Sequence, residues 1–259
     1  MTPELRGVLA SLPGDLRLPV LEDGRVVEVT VGNVGALPEA LGPMVRAFPD
    51  LRALTLQNAG NRVVGVRLDG QAVGQLPELA RLHALRCFFC AMGDHGLGGL
   101  AASPHLRGLR ELVVYEDEGV SDAGLQDLAD APWPALETLR LWRIAAGSAG
   151  LAALAQAEMP RLQHLAVERT DVGDAGAVAL AGGRLRPTRL DLSQSGVGAA
   201  GARALAEAAW TSGVTHLSLS HAPLGPDGVR ALATGFAGLT ELGLVQVGAD
   251  EDAVAALCR

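Results

Sequence analysis

Cys87 and Cys90 stand three residues apart in "RCFFC", with Phe88 and Phe89 between them. Such a spacing suits two chemistries, a thiolate clip on a metal or a dithiol pair. A zinc site needs a second pair of ligands, and the one further cysteine, Cys258, lies far along the chain. A redox pair belongs at the start of a helix beside a crossover unit, which this stretch is not. No two of the histidines (His83, His95, His105, His164, His216 and His221) have helical metal-ligand spacing. No serine occupies a Gly-x-Ser-x-Gly elbow, and no Gly-x-Gly-x-x-Gly opens a helix after a strand. All 21 basic residues are arginine, so a P-loop, which needs its lysine, is excluded. The expectation is a protein that is not an enzyme and holds no metal or cofactor.

The elements that carry the two cysteines are repeated. The segments "LHALRC" (82–87), "LRELVV" (109–114), "LETLRL" (136–141), "LQHLAV" (162–167), "PTRLDL" (187–192), "VTHLSL" (214–219) and "LTELGL" (239–244) share one pattern of apolar and variable positions. Their starts fall 27, 27, 26, 25, 27 and 25 residues apart. Beyond each comes a small residue (Gly96, Gly124, Gly150, Gly176, Gly201, Gly228, Ala253), then a Leu four residues later. A bulky apolar residue recurs three positions before the strands, at Phe48, Leu79, Leu106, Trp133, Met159 and Phe236. The first pattern alternates as a strand with one buried face, and the second has the spacing of a helix with one buried stripe. One unit cannot bury its apolar face alone, so units must stack on their neighbours.

In this register Cys87 is the third inward position of its strand and Cys90 falls in the turn after it. Both thiols therefore point inward for packing reasons, as buried cysteines commonly do. Nearly half the residues are hydrophobic, which supplies ample core, and disorder is not expected. The net charge of −8 argues against nucleic acid or an anionic membrane as a partner. Three cysteines make no disulfide framework, and neither a secretory leader nor a membrane-spanning run is evident. A cytoplasmic protein is expected, and the lysine-free, Ala/Gly/Arg-rich composition suggests a bacterial gene.

The pattern resembles the leucine-rich repeat, in the longer helix-containing form found in ribonuclease inhibitor. "VGDAGAVALA" (172–181) and "VGAAGARALA" (197–206) look like its Gly-Ala-rich bacterial versions. The resemblance covers about residues 82–259 and extends more loosely to "LRALTL" (51–56) and "VVEVTV" (26–31). It implies an α/β solenoid, a horseshoe with parallel strands on the concave face and helices on the convex face. It also implies protein partners, and for some members the regulation of a small GTPase. The family's Asn or Cys turn position holds Cys90, Asp117, Ile144, Thr170, Ser195, Ala222 and Val247 here. With three Asn in the chain a continuous Asn ladder is impossible, and other bonds must hold the turns. Residues 1–25 are expected to form an N-terminal cap that includes the helix "PELRGVLASL", and 26–259 the solenoid, in a single domain. The array is irregular at 57–81, where "VVGVRL" (63–68) follows Leu51 too closely for a full unit and "AGN" (59–61) suits a hairpin.

The residue after the last inward position reads Phe88, Tyr115, Trp142, Glu168, Ser193, Ser220, Val245. Three of the chain's eight aromatics thus share one place in consecutive units. With strands about 4.8 Å apart, the rings form a stripe on the order of 10 Å long. Arg86, Glu111, Glu116, Arg140, Arg143, His164, Glu168 and Arg169 flank it. Trp, Tyr and Arg concentrate binding energy at interfaces, which points to capture of a protein partner through the concave face. Cross-strand packing that only stabilises the sheet is the alternative. Two further readings are regulation of a small GTPase or other enzyme through this face or its rim, and end-to-end assembly. The C-terminal end is covered either by Asp250, Glu251 and Asp252 or by another molecule, as in a homodimer.

Overall fold

The computed structural model describes residues 16–23, 25–32, 37–58 and 67–258. Two strands come first, β1 (Leu16–Glu22) and β2 (Arg25–Gly32), then helix α1 (Leu37–Ala47) and strand β3 (Ala53–Gln57). The short helix α2 (Gly70–Gly74) and a 3-10 turn (Pro77–Arg81) lead into β4 (Ala84–Phe88). From there strand and helix alternate: α3 (Gly93–Ala101), β5 (Glu111–Asp117), α4 (Asp122–Asp130), β6 (Thr138–Ile144) and α5 (Ser148–Ala155). The series continues through β7 (His164–Glu168), α6 (Gly173–Ala181), β8 (Arg189–Asp191) and α7 (Ala199–Ala206). It ends in β9 (His216–Ser218), α8 (Gly225–Gly235), β10 (Glu241–Gly243) and α9 (Glu251–Leu257).

The ten strands form one sheet in the order of the sequence, which is the arrangement that stacking of like units demands. β1 pairs antiparallel with β2, and every later pair is parallel. The registers align equivalent positions throughout: Leu54, Leu85, Leu112, Leu139, Leu165, Leu190 and Leu217 form one continuous row, and all are buried. Leu56, Cys87, Val114, Leu141 and Val167 form a second buried row. Against these rows pack the helix positions Leu100, Leu128, Leu154, Leu180, Leu205 and Leu232 and the pre-strand residues Phe48, Leu79, Leu106, Trp133, Met159 and Phe236. The fold is an α/β solenoid with an open sheet. No helix among the described residues is long and apolar enough to cross a membrane.

The recurring small residue is explained by helix spacing. A Cβ on Gly70 would stand 2.2 Å from the Gly96 carbonyl oxygen, and one on Gly150 2.7 Å from an Asp122 carboxylate oxygen. Neighbouring helices approach so closely that their contact leaves no room for a side chain.

In place of an Asn ladder, aspartates at the helix starts tie each unit to the next. Asp94 accepts from the backbone N–H groups of Ser121 (2.6 Å) and Gly124 (2.9 Å). Asp122 does the same for Gly147 and Gly150, and Asp174 for Gly198 and Gly201. At the turn position the buried Asp117 reaches back to accept from Met92, Gly93 and Gly119. Its burial raises the carboxyl pKa, and those N–H donors pull it back down.

The expected N-terminal helix at 3–12, the hairpin at 59–61 and most of the expected strand at 63–68 lie outside the described residues. Where that strand should end, Arg67 and Leu68 belong to no strand. Leu68 is buried and donates its N–H to the Cys90 carbonyl at 2.9 Å, as part of the approach to α2.

Candidate functional site

With the leucine rows turned inward, strand alternation leaves three rows of side chains on the concave face. The first runs Ala84, Glu111, Thr138, His164, Arg189, His216. The second, along the middle, runs Arg86, Val113, Arg140, Ala166, Asp191, Ser218. In the third, Phe88 pairs with Tyr115, Tyr115 with Trp142, and Trp142 with Glu168. All three rings are half-buried, neither lost in the core nor fully in solvent.

The rings touch in series. Tyr115 and Trp142 stack with centroids 4.0 Å apart and planes 2° from parallel. Phe88 lies tilted on the other side of Tyr115 at 5.3 Å. The Arg169 guanidinium covers the remaining face of Trp142 at 5.0 Å. Both faces of the indole are therefore occupied, and the ladder offers ring edges to anything that enters the groove.

Phe89 is an addition that the strand pattern does not announce. It meets Tyr115 edge-on at 5.7 Å because its φ of 57° bends the chain back toward the groove. The same left-handed turn recurs one residue past the third row, at Glu116, Arg143, Arg169, Gln194, His221 and Gln246. These side chains make a fourth row at the groove's rim. Plain alternation would have sent them to the opposite side, and no glycine marks the turn in the sequence. Arg143, Glu116 and Arg169 therefore reach the groove from the rim, not from the strands.

The flanking charges are ordered into pairs. Arg86 binds both carboxylate oxygens of Glu111 (2.6 and 3.1 Å) and one of Glu28 (2.9 Å). Arg140 approaches Glu168 at 3.5 Å, and Arg143 bridges Glu116 (3.4 Å) and Glu118 (3.2 Å). Burial, Arg189 and Arg140 together hold the His164 imidazole below its usual pKa. Burial and the neighbouring Asp191 push the Glu168 carboxyl upward. Arg189 stands between His164 and His216 in the first row, so the two imidazoles do not meet. Among the described residues no three His, Cys, Asp or Glu side chains come together as metal ligands.

Cys87 and Cys90 lie beneath this surface and are both buried. The Cys90 thiol has Leu56 and Phe88 carbonyl oxygens at 3.4 and 3.5 Å. Its contact with Cys87, and then burial, raise its pKa well above the ordinary value. A protonated, enclosed thiol is neither nucleophile nor metal ligand.

A second concavity lies away from the sheet face. Trp133, Met159 and Leu185, flanked by Pro132, Pro134 and Pro160, line a mostly apolar cavity of about 360 Å³.

Comparison with known proteins agrees with this architecture. The Leucine Rich repeat model matches residues 159–181, 188–206 and 214–233. No curated protein matches the chain. A chain in the crystal structure of the Rad7 and Elc1 complex in yeast superposes with a TM-score of 0.59 at 15% identity. The match covers 89% of this chain and 60% of that one, so this chain spans less than two thirds of its structural neighbour. At that identity the likeness concerns the fold. Repeat pattern, sheet order and superposition agree: the chain has the open α/β solenoid fold of leucine-rich repeats, and three of its units match the repeat model itself.

Proposed function

We propose that the chain is a non-catalytic module that binds a protein partner through its concave face, with the ladder from Phe88 to Arg169 as the anchor. One observation carries this reading. The only Tyr and the only half-exposed Trp of the chain stack on adjacent strands of the open face, capped by an arginine. Ring stacking alone stabilises a sheet by about 0.5–1.5 kcal/mol, and buried aliphatic pairs would do as well without leaving aromatic area in water. The neighbour found by superposition sits in a protein complex, which supports the general role. Helix-containing repeats 25 to 27 residues long support the ribonuclease-inhibitor-like type. Three unbridged cysteines favour a reducing, cytoplasmic setting.

The test is affinity capture with the wild type, the Tyr115→Ala/Trp142→Ala double variant and a helix-face control, Gln126→Ala. A partner held by the first and third and lost by the second is the expected outcome. The double variant should still fold, with stability lowered by about 1 kcal/mol. Partners captured equally by all three proteins would exclude the concave ladder as the binding surface.

A further inference from the structure

The chain carries eight net negative charges, so a basic partner is the first guess. The groove does not share that charge. Around the ladder stand five arginines (Arg86, Arg140, Arg143, Arg169, Arg189) and six carboxylates (Glu28, Glu111, Glu116, Glu118, Glu168, Asp191). The groove thus accounts for one of the eight net charges. Its ion pairs are closed within the face: Arg86 is held by two glutamates, Arg143 by two, and Arg140 by Glu168. His164 adds no charge at neutral pH, because its burial beside Arg189 and Arg140 favours the neutral ring.

The floor between these pairs is apolar, made by Val113 and Ala166, both buried under their neighbours. Above it the ladder presents edges, since Tyr115 and Arg169 cover both faces of Trp142. A partner's cation finds no free indole face here, and a partner's anion finds four of the five guanidiniums paired or stacked and the fifth, Arg189, offset by Asp191 two residues on along the same strand face.

We infer that the concave groove is matched to an electrically neutral, apolar patch on a folded partner protein, and that the chain's negative charge does not guide this contact. The inference rests on the reading of the concave face as the binding surface. A charged partner would have to open ion pairs that the face satisfies internally, and like charges placed together disfavour wrong partners.

The test uses Trp142 as its own probe, because Trp133 and Trp210 are buried. Fluorescence of the wild type minus that of Trp142→Phe is titrated at low ionic strength with iodide and, separately, with caesium. A local potential of one kT would enrich one ion and deplete the other, splitting the two quenching constants roughly sevenfold. A neutral groove gives a ratio, normalised to free indole, within about threefold. Nile red, an uncharged apolar dye, should bind the wild type equally at low and high salt, and binding should fall in Tyr115→Ser/Trp142→Ser. A quenching ratio beyond about threefold in either direction, or salt-dependent dye binding, overturns the inference while leaving the concave reading intact. Failure of both ions to quench Trp142 overturns the concave reading itself, and this inference with it.

Discussion

Asp174→Ala isolates the bonds that replace the missing Asn ladder. Both donors, the N–H groups of Gly198 and Gly201, reach the same oxygen, Oδ1, at 2.7 Å each. Gly198 is the N-cap of α7 and has no side chain with which to cap it. The neighbouring unit therefore supplies the cap and places its negative charge at the positive end of the helix. A hydrogen bond to a charged group contributes about 1.5–3 kcal/mol, and a capping side chain typically about 1 kcal/mol. Asp174 is half-buried, so water recovers part of the loss, and a net cost of about 2 kcal/mol is expected. Asp174→Asn keeps an oxygen where both bonds converge and loses only the charge, so it should cost about 1 kcal/mol or less. Urea denaturation followed by circular dichroism measures both costs. Because units couple only to their neighbours, the alanine variant should also unfold less cooperatively. Hydrogen exchange localises the effect: the Gly198 and Gly201 amides should lose protection, while the Gly124 amide, held by Asp94, should not. A cost below about 0.5 kcal/mol for alanine, within the scatter of ordinary surface substitutions, would refute the capping role, as would asparagine proving equally harmful.

Three further outcomes follow from the same geometry. Gly70→Ala should cost at least about 2 kcal/mol, since its Cβ would sit 2.2 Å from a backbone oxygen that cannot swing aside; a neutral thermal shift would contradict the close helix contact. His164 has a lowered pKa in the folded chain, so the unfolded chain takes up the proton first and His164-linked stability falls as pH drops through about 6.5. His164→Gln should flatten that limb of the stability–pH curve, whereas Glu168, raised in the folded state, acts oppositely nearer its own range. In the native protein a thiol reagent should modify Cys258 quickly and Cys87 and Cys90 only on unfolding, because the first is exposed and the others buried. Fast reaction of all three would refute the enclosed pair.

Much of this was legible in the sequence because repetition multiplies weak signals. A single "LxxLxL" is ambiguous, but seven at nearly constant spacing fix which residues face inward, and hence that Phe88, Tyr115 and Trp142 share a row. The recurring glycine was equally visible, although its cause, helices packed nearly backbone to backbone at Gly70 and Gly96, needed coordinates. Three features were hidden. The left-handed turn is made by Phe89, Glu116, Arg143 and Arg169, types that carry no turn signature, so the place of Phe89 beside Tyr115 could not be read. The Asp-x-Gly stretches at 94–96, 122–124 and 174–176 look like ordinary helix starts, while their bonds cross to the next unit. The parallel stack of Tyr115 and Trp142 depends on rotamers that spacing does not encode.

The left-handed row also shows how this scaffold fixes its turns without fixing the side chains they carry. A non-glycine residue in that conformation costs about 1–2 kcal/mol, and the cost recurs in unit after unit. It is offset by the ladder, which the turn extends one step beyond the third row: Phe89, Arg169, Gln194 and His221 donate their N–H groups to the Tyr115, Ser193, Ser220 and Val245 carbonyls of the next unit. The following residue can then turn inward, as Cys90, Asp117, Ser195 and Ala222 all do. All of these bonds are made by the backbone, so the turn itself does not depend on which side chains occupy the third and fourth rows. Along one continuous backbone they change from aromatic, arginine and glutamate on β4 to β7 to Ser193, Gln194, Ser220 and His221 just past β8 and β9. Because the buried rows scarcely vary across the same span, the units of the array differ from one another chiefly in the side chains of these outer rows.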